Sequence, residues 1–317
     1  MYEGNTIGVV VPAYNEEGFV GEVIETMPSF VDRVYVVDDC STDGTWEEIQ
    51  EAKERTQEAA VTDGGAEGEF VVPIQHEENR GVGGAIKTGY LRARDDGIDV
   101  TAVMGGDGQM DPDDLDRILD PVVEGRADYS KSNRLIREEH HQEMPRFRYV
   151  GNHLLTLLTK IASGYWTVSD PQSGYTAISH EALEAVDIDE MYEFYGYCND
   201  LIVRLSANDM RILDVPMRLT YGDEESSISY PEYIPRVSSM LLRMFVWRLA
   251  VKRDTAGEQL RSGLFLGGAV ATVAGFVGAA AGRRPERLRI ALLGVVGLLG
   301  GMATDAVTNR EKNGRDE

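Results

Sequence analysis

Ile7-Gly8-Val9-Val10-Val11-Pro12-Ala13-Tyr14-Asn15-Glu16-Glu17 sets a short, β-branched run directly against a polar, acidic cluster. A continuous apolar run of this length predicts a strand buried on both faces, as in a parallel sheet covered by helices. From Glu17 to Met27 the apolar residues fall at helical spacing, through Val20, Val23, Ile24 and Met27. Strand, acidic turn and helix therefore follow one another within the first thirty residues.

The alternation continues down the chain. Val34 to Val37 reads as a second strand closed by Asp38 and Asp39, and Thr42 or Asp43 can cap a helix starting near Thr45. An acidic, glycine-rich loop spans Thr62 to Glu69. Phe70 to Ile74 predicts a third strand, Ala85 to Ala93 a helix, and Val100 to Met104 a fourth strand. Pro112 suits the first turn of another helix, which Leu115 and Ile118 continue. This order predicts an α/β fold with a mostly parallel sheet, helices on both faces, and ligands at the carboxyl ends of the strands. Between Arg134 and Asp200 the pattern is less regular, with a polar loop at Arg137 to Pro145 and a helix at Tyr149 to Ile161.

The 317 residues carry 54 acidic against 31 basic side chains, a net charge of −23. Such a surface repels polyanions and excludes nucleic acid as a partner; it suits a very salty cytoplasm. Cys40 and Cys198 are too few for a disulfide framework or a thiolate metal site, which fits a reduced compartment. No basic n-region precedes the first strand, so no signal peptide is expected.

The C-terminal part is different in kind. Tyr233 to Val251 predicts a helix with Ile234, Val237, Met240, Leu241, Met244 and Phe245 on one side and Arg236, Ser239, Arg243 and Arg248 elsewhere. It reads either as a core-packed amphipathic helix or as a helix in a membrane interface. Leu264 to Ala281 is uncharged over 18 residues, about 27 Å as a helix. Ile290 to Thr304 is a second uncharged stretch, ended by Asp305. Gly267, Ala271, Gly275 and Ala279, with Gly297 and Gly301, recur every four residues and would let two helices approach closely. A transmembrane hairpin is expected. Seven basic residues on its flanks against four arginines in its turn favour both flanks, and the front domain, on the cytoplasmic side. The expected division is a catalytic domain over 1–228, an interface helix over 229–258, the hairpin over 262–306 and a polar tail over 307–317.

Four clusters carry chemistry. Asp38 and Asp39 close a strand, where a carboxylate can accept hydrogen bonds from a base or ribose, whereas Asp43 reads as a helix cap. Asn79-Arg80-Gly81-Val82-Gly83-Gly84 precedes a helix and lets backbone approach a ligand. Asp107 and Gln109 follow a buried strand and offer hard oxygen ligands for a divalent ion bridging two phosphates, with a plain β-turn as the alternative. His140 and His141 lie in a polar loop and read as solvent-exposed.

Together these clusters resemble family 2 glycosyltransferases, the inverting GT-A fold, and within them the polyprenyl (dolichyl) phosphate sugar synthases. The resemblance covers residues 5 to 220 and includes Asp170-Pro171-Gln172-Ser173-Gly174-Tyr175. It implies an inverting hexosyltransferase using a nucleotide sugar (UDP- or GDP-hexose), a polyprenyl phosphate acceptor and Mg²⁺ or Mn²⁺. By the same resemblance Pro12, Tyr14, Glu16, Asp39, Gly83, Lys87 and Asp107 would bind the nucleotide sugar. Asp107 and Gln109 would hold the metal, and Arg134 and Arg148 would meet the acceptor phosphate. One departure is Gly105, where the family usually has aspartate. Asp200 sits roughly where other family 2 enzymes place a catalytic base; its alternative is a helix N-terminal carboxylate. A base is needed only if the acceptor is a hydroxyl, as in elongation of a lipid-linked saccharide. A catalytically impaired membrane scaffold is the reading of another class, suggested by Gly105.

Overall fold

The structure, a computed structural model, describes residues 1–62, 69–133, 146–217, 230–282 and 285–313. Its core is one sheet of β1 (Ile7–Ala13), β2 (Arg33–Asp38), β3 (Val71–Gln75), β4 (Val100–Val103), β5 (Tyr129–Asn133), β6 (Thr176–Ser179) and β7 (Ile212–Pro216). The spatial order is β3-β2-β1-β4-β6-β5-β7. β1 pairs in parallel with β2 and β4, β2 with β3, and β5 with β7. β6 departs from the parallel pattern and runs antiparallel to both its neighbours, β4 and β5.

Strand alternation divides the apolar side chains between two layers. Val9 and Val11 enter one cluster with Val20, Ile24, Ile49 and Ile118, whereas Val10 enters the other with Ile86, Tyr90, Leu201 and Ile202. The first layer is formed by α1 (Val20–Glu25), α2 (Thr45–Thr62) and α4 (Leu115–Val123); the second by α3 (Val82–Asp95), α6 (His180–Ala185) and α7 (Tyr197–Ala207). The helix expected from Glu17 begins only at Val20. Asn15 and Gly18 adopt positive φ of 57° and 88°, and the Glu48 carboxylate holds the Gly18 and Gly21 amides at 2.6 and 2.8 Å. That geometry keeps the chain in a turn before the helix starts.

A third cluster joins α5 (Arg146–Ser163) and α7 to α8 (Tyr230–Val251), through Leu155, Ala162, Val203, Val237 and Leu241. α8 is two-sided. Its opposite face leaves Leu242 and Val246 exposed beside the exposed Arg236 and Arg243.

α9 (Ala256–Gly282) and α10 (Pro285–Asn313) form the hairpin, and both are long and apolar enough to cross a membrane. Their seam differs from the four-residue stripe. Gly267 faces open space, whereas a Cβ on Gly268 would lie 2.7 Å from the Gly294 carbonyl. The buried seam positions include Phe265, Gly268, Gly275 and Gly278 on α9 and Ala291, Gly294, Gly301 and Asp305 on α10, with Arg261 and Ser262 buried near the start of α9. Their three- and four-residue steps keep a seam facing its partner where a strict four-residue step drifts around the helix. Asp305 receives Arg248 of α8 at 2.7 Å and Arg261 of α9 at 2.8 Å, and Arg248 also donates to the Ile161 carbonyl of α5 at 3.3 Å. All three charged side chains are buried.

Candidate active site

An open cleft of about 420 Å³ lies at the carboxyl ends of β1, β2 and β4. The strand tips are tied to one another: the Asp39 amide donates to the Ala13 carbonyl at 2.9 Å and the Gly106 amide to the Pro12 carbonyl at 3.1 Å. Pro12, Ala13, Tyr14 and Glu16 line one wall, Asp39, Asn79, Gly81, Val82 and Ala85 a second, and Gly105, Gly106 and Asp107 the floor. Phe194 and Tyr195 complete the rim.

The two acids after β2 have different surroundings. The buried Asp38 carboxylate accepts the Ser41 amide at 3.1 Å and the Gln75 amide group at 2.9 Å. Asp39 reaches the cleft, and its Oδ1 accepts the Arg80 amide at 2.9 Å and meets His76 Nδ1 at 2.7 Å. Asp43 caps α2, accepting from the Thr45 amide at 3.1 Å and hydroxyl at 2.6 Å. Partial burial opposes its ionisation, but those hydrogen bonds prevail and hold it below the usual carboxylate range.

At the floor, Asp107 Oδ1 accepts the Gln109 amide at 3.1 Å, and a Cβ on Gly105 would lie 2.9 Å from that same oxygen. Asp107 therefore leans into the space that a side chain at position 105 would use. Gln109 is half-buried and is not among the cleft-lining residues. Among the described residues no three His, Cys, Asp or Glu side chains form a preformed metal cage. A single hard carboxylate at the floor fits a divalent ion such as Mg²⁺ or Mn²⁺ that would draw its other oxygen ligands from outside the protein.

Gly83 and Lys87 lie behind the cleft wall. A Cβ on Gly83 would meet the Tyr192 carbonyl at 2.5 Å, and Lys87 Nζ bonds the Asp189 carbonyl at 3.0 Å and Glu193 at 2.6 Å. Arg80 reaches the same Glu193 oxygen at 2.7 Å. Lys87 first, then Arg80, hold Glu193 below its ordinary range against the effect of burial. This clamp presents Phe194 and Tyr195, each 48% exposed, to the cleft.

Asp200 is buried in α7 beneath the same segment. Its Oδ2 accepts Arg204 Nε at 2.8 Å and the Tyr192 amide at 3.0 Å, and Arg204 in turn bonds the carbonyls of Asp187 and Glu190. Burial pushes Asp200 above its ordinary value, with Arg204 opposing. It is not among the cleft-lining residues. Asp170, at φ 44°, opens a turn that the buried Lys131 braces through the Ser169 and Asp170 carbonyls. Arg134, His140 and His141 lie outside the described residues. Arg148 belongs to α5, and its side chain is outside them too.

The structure thus gathers Pro12, Tyr14, Glu16, Asp39 and Asp107 around one cleft and sets Gly83, Lys87 and Asp200 in the support behind it. The sequence reading missed Phe194, Tyr195 and His76. Adjacent aromatics just before Gly196, which has φ 113°, were the available signal for the first two.

The family model described as Glycosyl transferase family 2 matches residues 8–187. UDP-N-acetylglucosamine–dolichyl-phosphate N-acetylglucosaminyltransferase of Methanococcus voltae is 31% identical over 218 residues, 68% of this chain and 86% of that protein. Polyprenol monophosphomannose synthase of Mycolicibacterium smegmatis is 28% identical over 228 residues, 70% of this chain and 79% of that protein. Among solved structures, glucosyl-3-phosphoglycerate synthase of Mycobacterium tuberculosis, in complex with Mn²⁺, UDP and phosphoglyceric acid, superposes with a TM-score of 0.53 at 19% identity. That superposition covers 80% of this chain and 81% of that one, and it speaks for the fold alone.

Proposed function

Because the chain belongs to glycosyl transferase family 2, and so is a glycosyltransferase, we propose that it moves a hexose from a nucleotide diphosphate sugar to a polyprenyl phosphate, with inversion. The proposed setting is the cytoplasmic face of the membrane, and the proposed use is protein or surface glycosylation. The carrying observation is that one chain joins an acidic, carboxylate-floored cleft to two apolar helices through a buried Arg248–Asp305–Arg261 cluster. The dolichyl-phosphate and polyprenol activities in the names of its relatives support the acceptor.

In this reading Pro12, Tyr14, Glu16 and Asp39 hold the nucleoside, with Gly83 and Lys87 supporting that wall. Asp107, steadied by the Gln109 backbone amide, would hold a divalent metal, which would supply charge neutralisation on the departing diphosphate. Arg134 and Arg148 grip the acceptor phosphate. A lipid phosphate is already ionised, so attack on the anomeric carbon needs no general base. Asp200, bonded to Arg204 and away from the cleft, fits that economy. The exposed face of α8, with Arg236, Leu242, Arg243 and Val246, lies along the membrane surface.

The test uses membranes containing the full chain, Mg²⁺, polyprenyl phosphate and radiolabelled UDP-glucose, UDP-N-acetylglucosamine or GDP-mannose. The expected product is organic-extractable and labile to mild acid, and Asp107→Asn lowers its rate by about 10²-fold or more. Full activity in that variant would sink the metal assignment. Label appearing only on a lipid that already bears a sugar would move the enzyme to chain elongation.

A further inference from the structure

His76 stands one residue beyond β3 and is not among the cleft-lining residues. Its amide donates to the Asp38 carbonyl at 2.9 Å, which fixes the residue beneath the acidic end of β2. The ring is buried, with 7% of its side chain exposed, and both nitrogens are engaged. Nδ1 is 2.7 Å from Asp39 Oδ1, and Nε2 is 2.9 Å from the Thr88 hydroxyl on α3. A carboxylate only accepts, so Nδ1 carries the hydrogen in that contact.

The bond fixes which oxygen of Asp39 remains for a ligand. Oδ1 takes both the His76 ring and the Arg80 amide, whereas among the described residues nothing is bonded to Oδ2. Asp39 still lines the cleft. The ring is held in plane by Thr88, whose hydroxyl is itself 3.1 Å from the Gly84 carbonyl, so the restraint runs from Asp39 into the helix that forms the second wall. Loss of the ring would leave Asp39 attached by one backbone amide and free to rotate about its side-chain torsions.

We infer that His76 is a positioning residue for the nucleoside: it locks Asp39 with Oδ2 toward the cleft, so that donor affinity depends on a side chain the donor never touches. The inference rests on the proposed donor cleft. It concerns the ground-state grip on the nucleoside, so its signature is a rise in KM for the donor with kcat preserved.

Full-length protein in detergent is titrated calorimetrically with UDP and GDP, and then with uridine or guanosine matching the tighter binder. His76→Leu is expected to weaken the diphosphate and the nucleoside alike by about tenfold, the cost of one hydrogen bond to a charged group. Donor KM rises by a similar factor, and kcat stays within about twofold. His76→Asn, whose side-chain N–H can stand in for Nδ1–H, is expected to recover most of the loss. If His76→Leu fails to fold, Thr88→Val decides, with a smaller loss in the same parameter. Unchanged affinity in His76→Leu, or in Thr88→Val where that variant decides, would overturn the inference, as would a fall in kcat at constant KM. Asp39→Asn separates the two levels: if it binds nucleotide normally, the donor cleft itself is misread. If it binds poorly while His76→Leu binds normally, only the role of His76 falls.

Discussion

Asp38 and Asp39 are neighbours in the chain with unlike tasks. Asp38 is wholly buried and bonded to Ser41 and Gln75, whereas Asp39, bonded through Oδ1 to His76 and the Arg80 amide, lines the cleft. Asp38→Asn should therefore lower thermal stability by about 1–3 kcal/mol and leave donor KM nearly unchanged. A calorimetric melt and a donor titration on the same sample check both halves. Spacing placed both acids at a strand end and only the family resemblance singled out Asp39, because the separating contacts come from Gln75 and His76 at the end of another strand. Asp107 was legible because its turn follows directly on β4, while Phe194 and Tyr195 reach the cleft through contacts between distant segments. Buried carboxylates also set a pH response. Burial raises Asp200 and Asp214 above the ordinary 3.8, with Arg204 and Lys131 opposing in turn. Each therefore holds its proton to higher pH folded than unfolded, so its contribution is complete below about 3.8 and is lost as pH rises through the raised value. Asp214→Asn should flatten the fall of Tm as pH rises above about 3.8. Melts at constant salt check this, and an unchanged slope would count against it.

Among the elements, the periodic ones were the easiest to read. The strands β1, β2 and β4 and the helices α3 and α5 announce themselves through local spacing of apolar residues. The antiparallel insertion of β6 does not, since strand direction depends on partners far away in sequence. The hairpin shows a subtler limit: its small residues were visible, but not which of them meet. Gly267 and Gly268 differ by one step around α9, and only Gly268 touches α10. Gly268→Leu should thus separate the helices and cost about 1–3 kcal/mol from overpacking, whereas Gly267→Leu should be close to neutral. Unfolding in detergent measures both, and equal losses would mean the seam is misplaced.

For the molecule as a whole, charge acts in two regimes. The net −23 on the surface repels itself at low ionic strength, so lowering KCl from about 2 M to about 0.1 M should lower Tm. The Arg248–Asp305–Arg261 cluster is shielded from that effect by burial. Asp305→Asn leaves two buried guanidinium groups short of their counter-charge and should cost about 3–5 kcal/mol at any salt concentration. Unfolding of both proteins across a salt series separates the regimes. The same cluster has a mechanical corollary. Arg248 bonds the last turn of α5 and the far end of α10 with one side chain, and so ties the catalytic part directly to its hairpin. In a bilayer the cleft would stand at a set altitude, like an instrument on a fixed mast. Only acceptors whose headgroups present themselves at that height would be within reach.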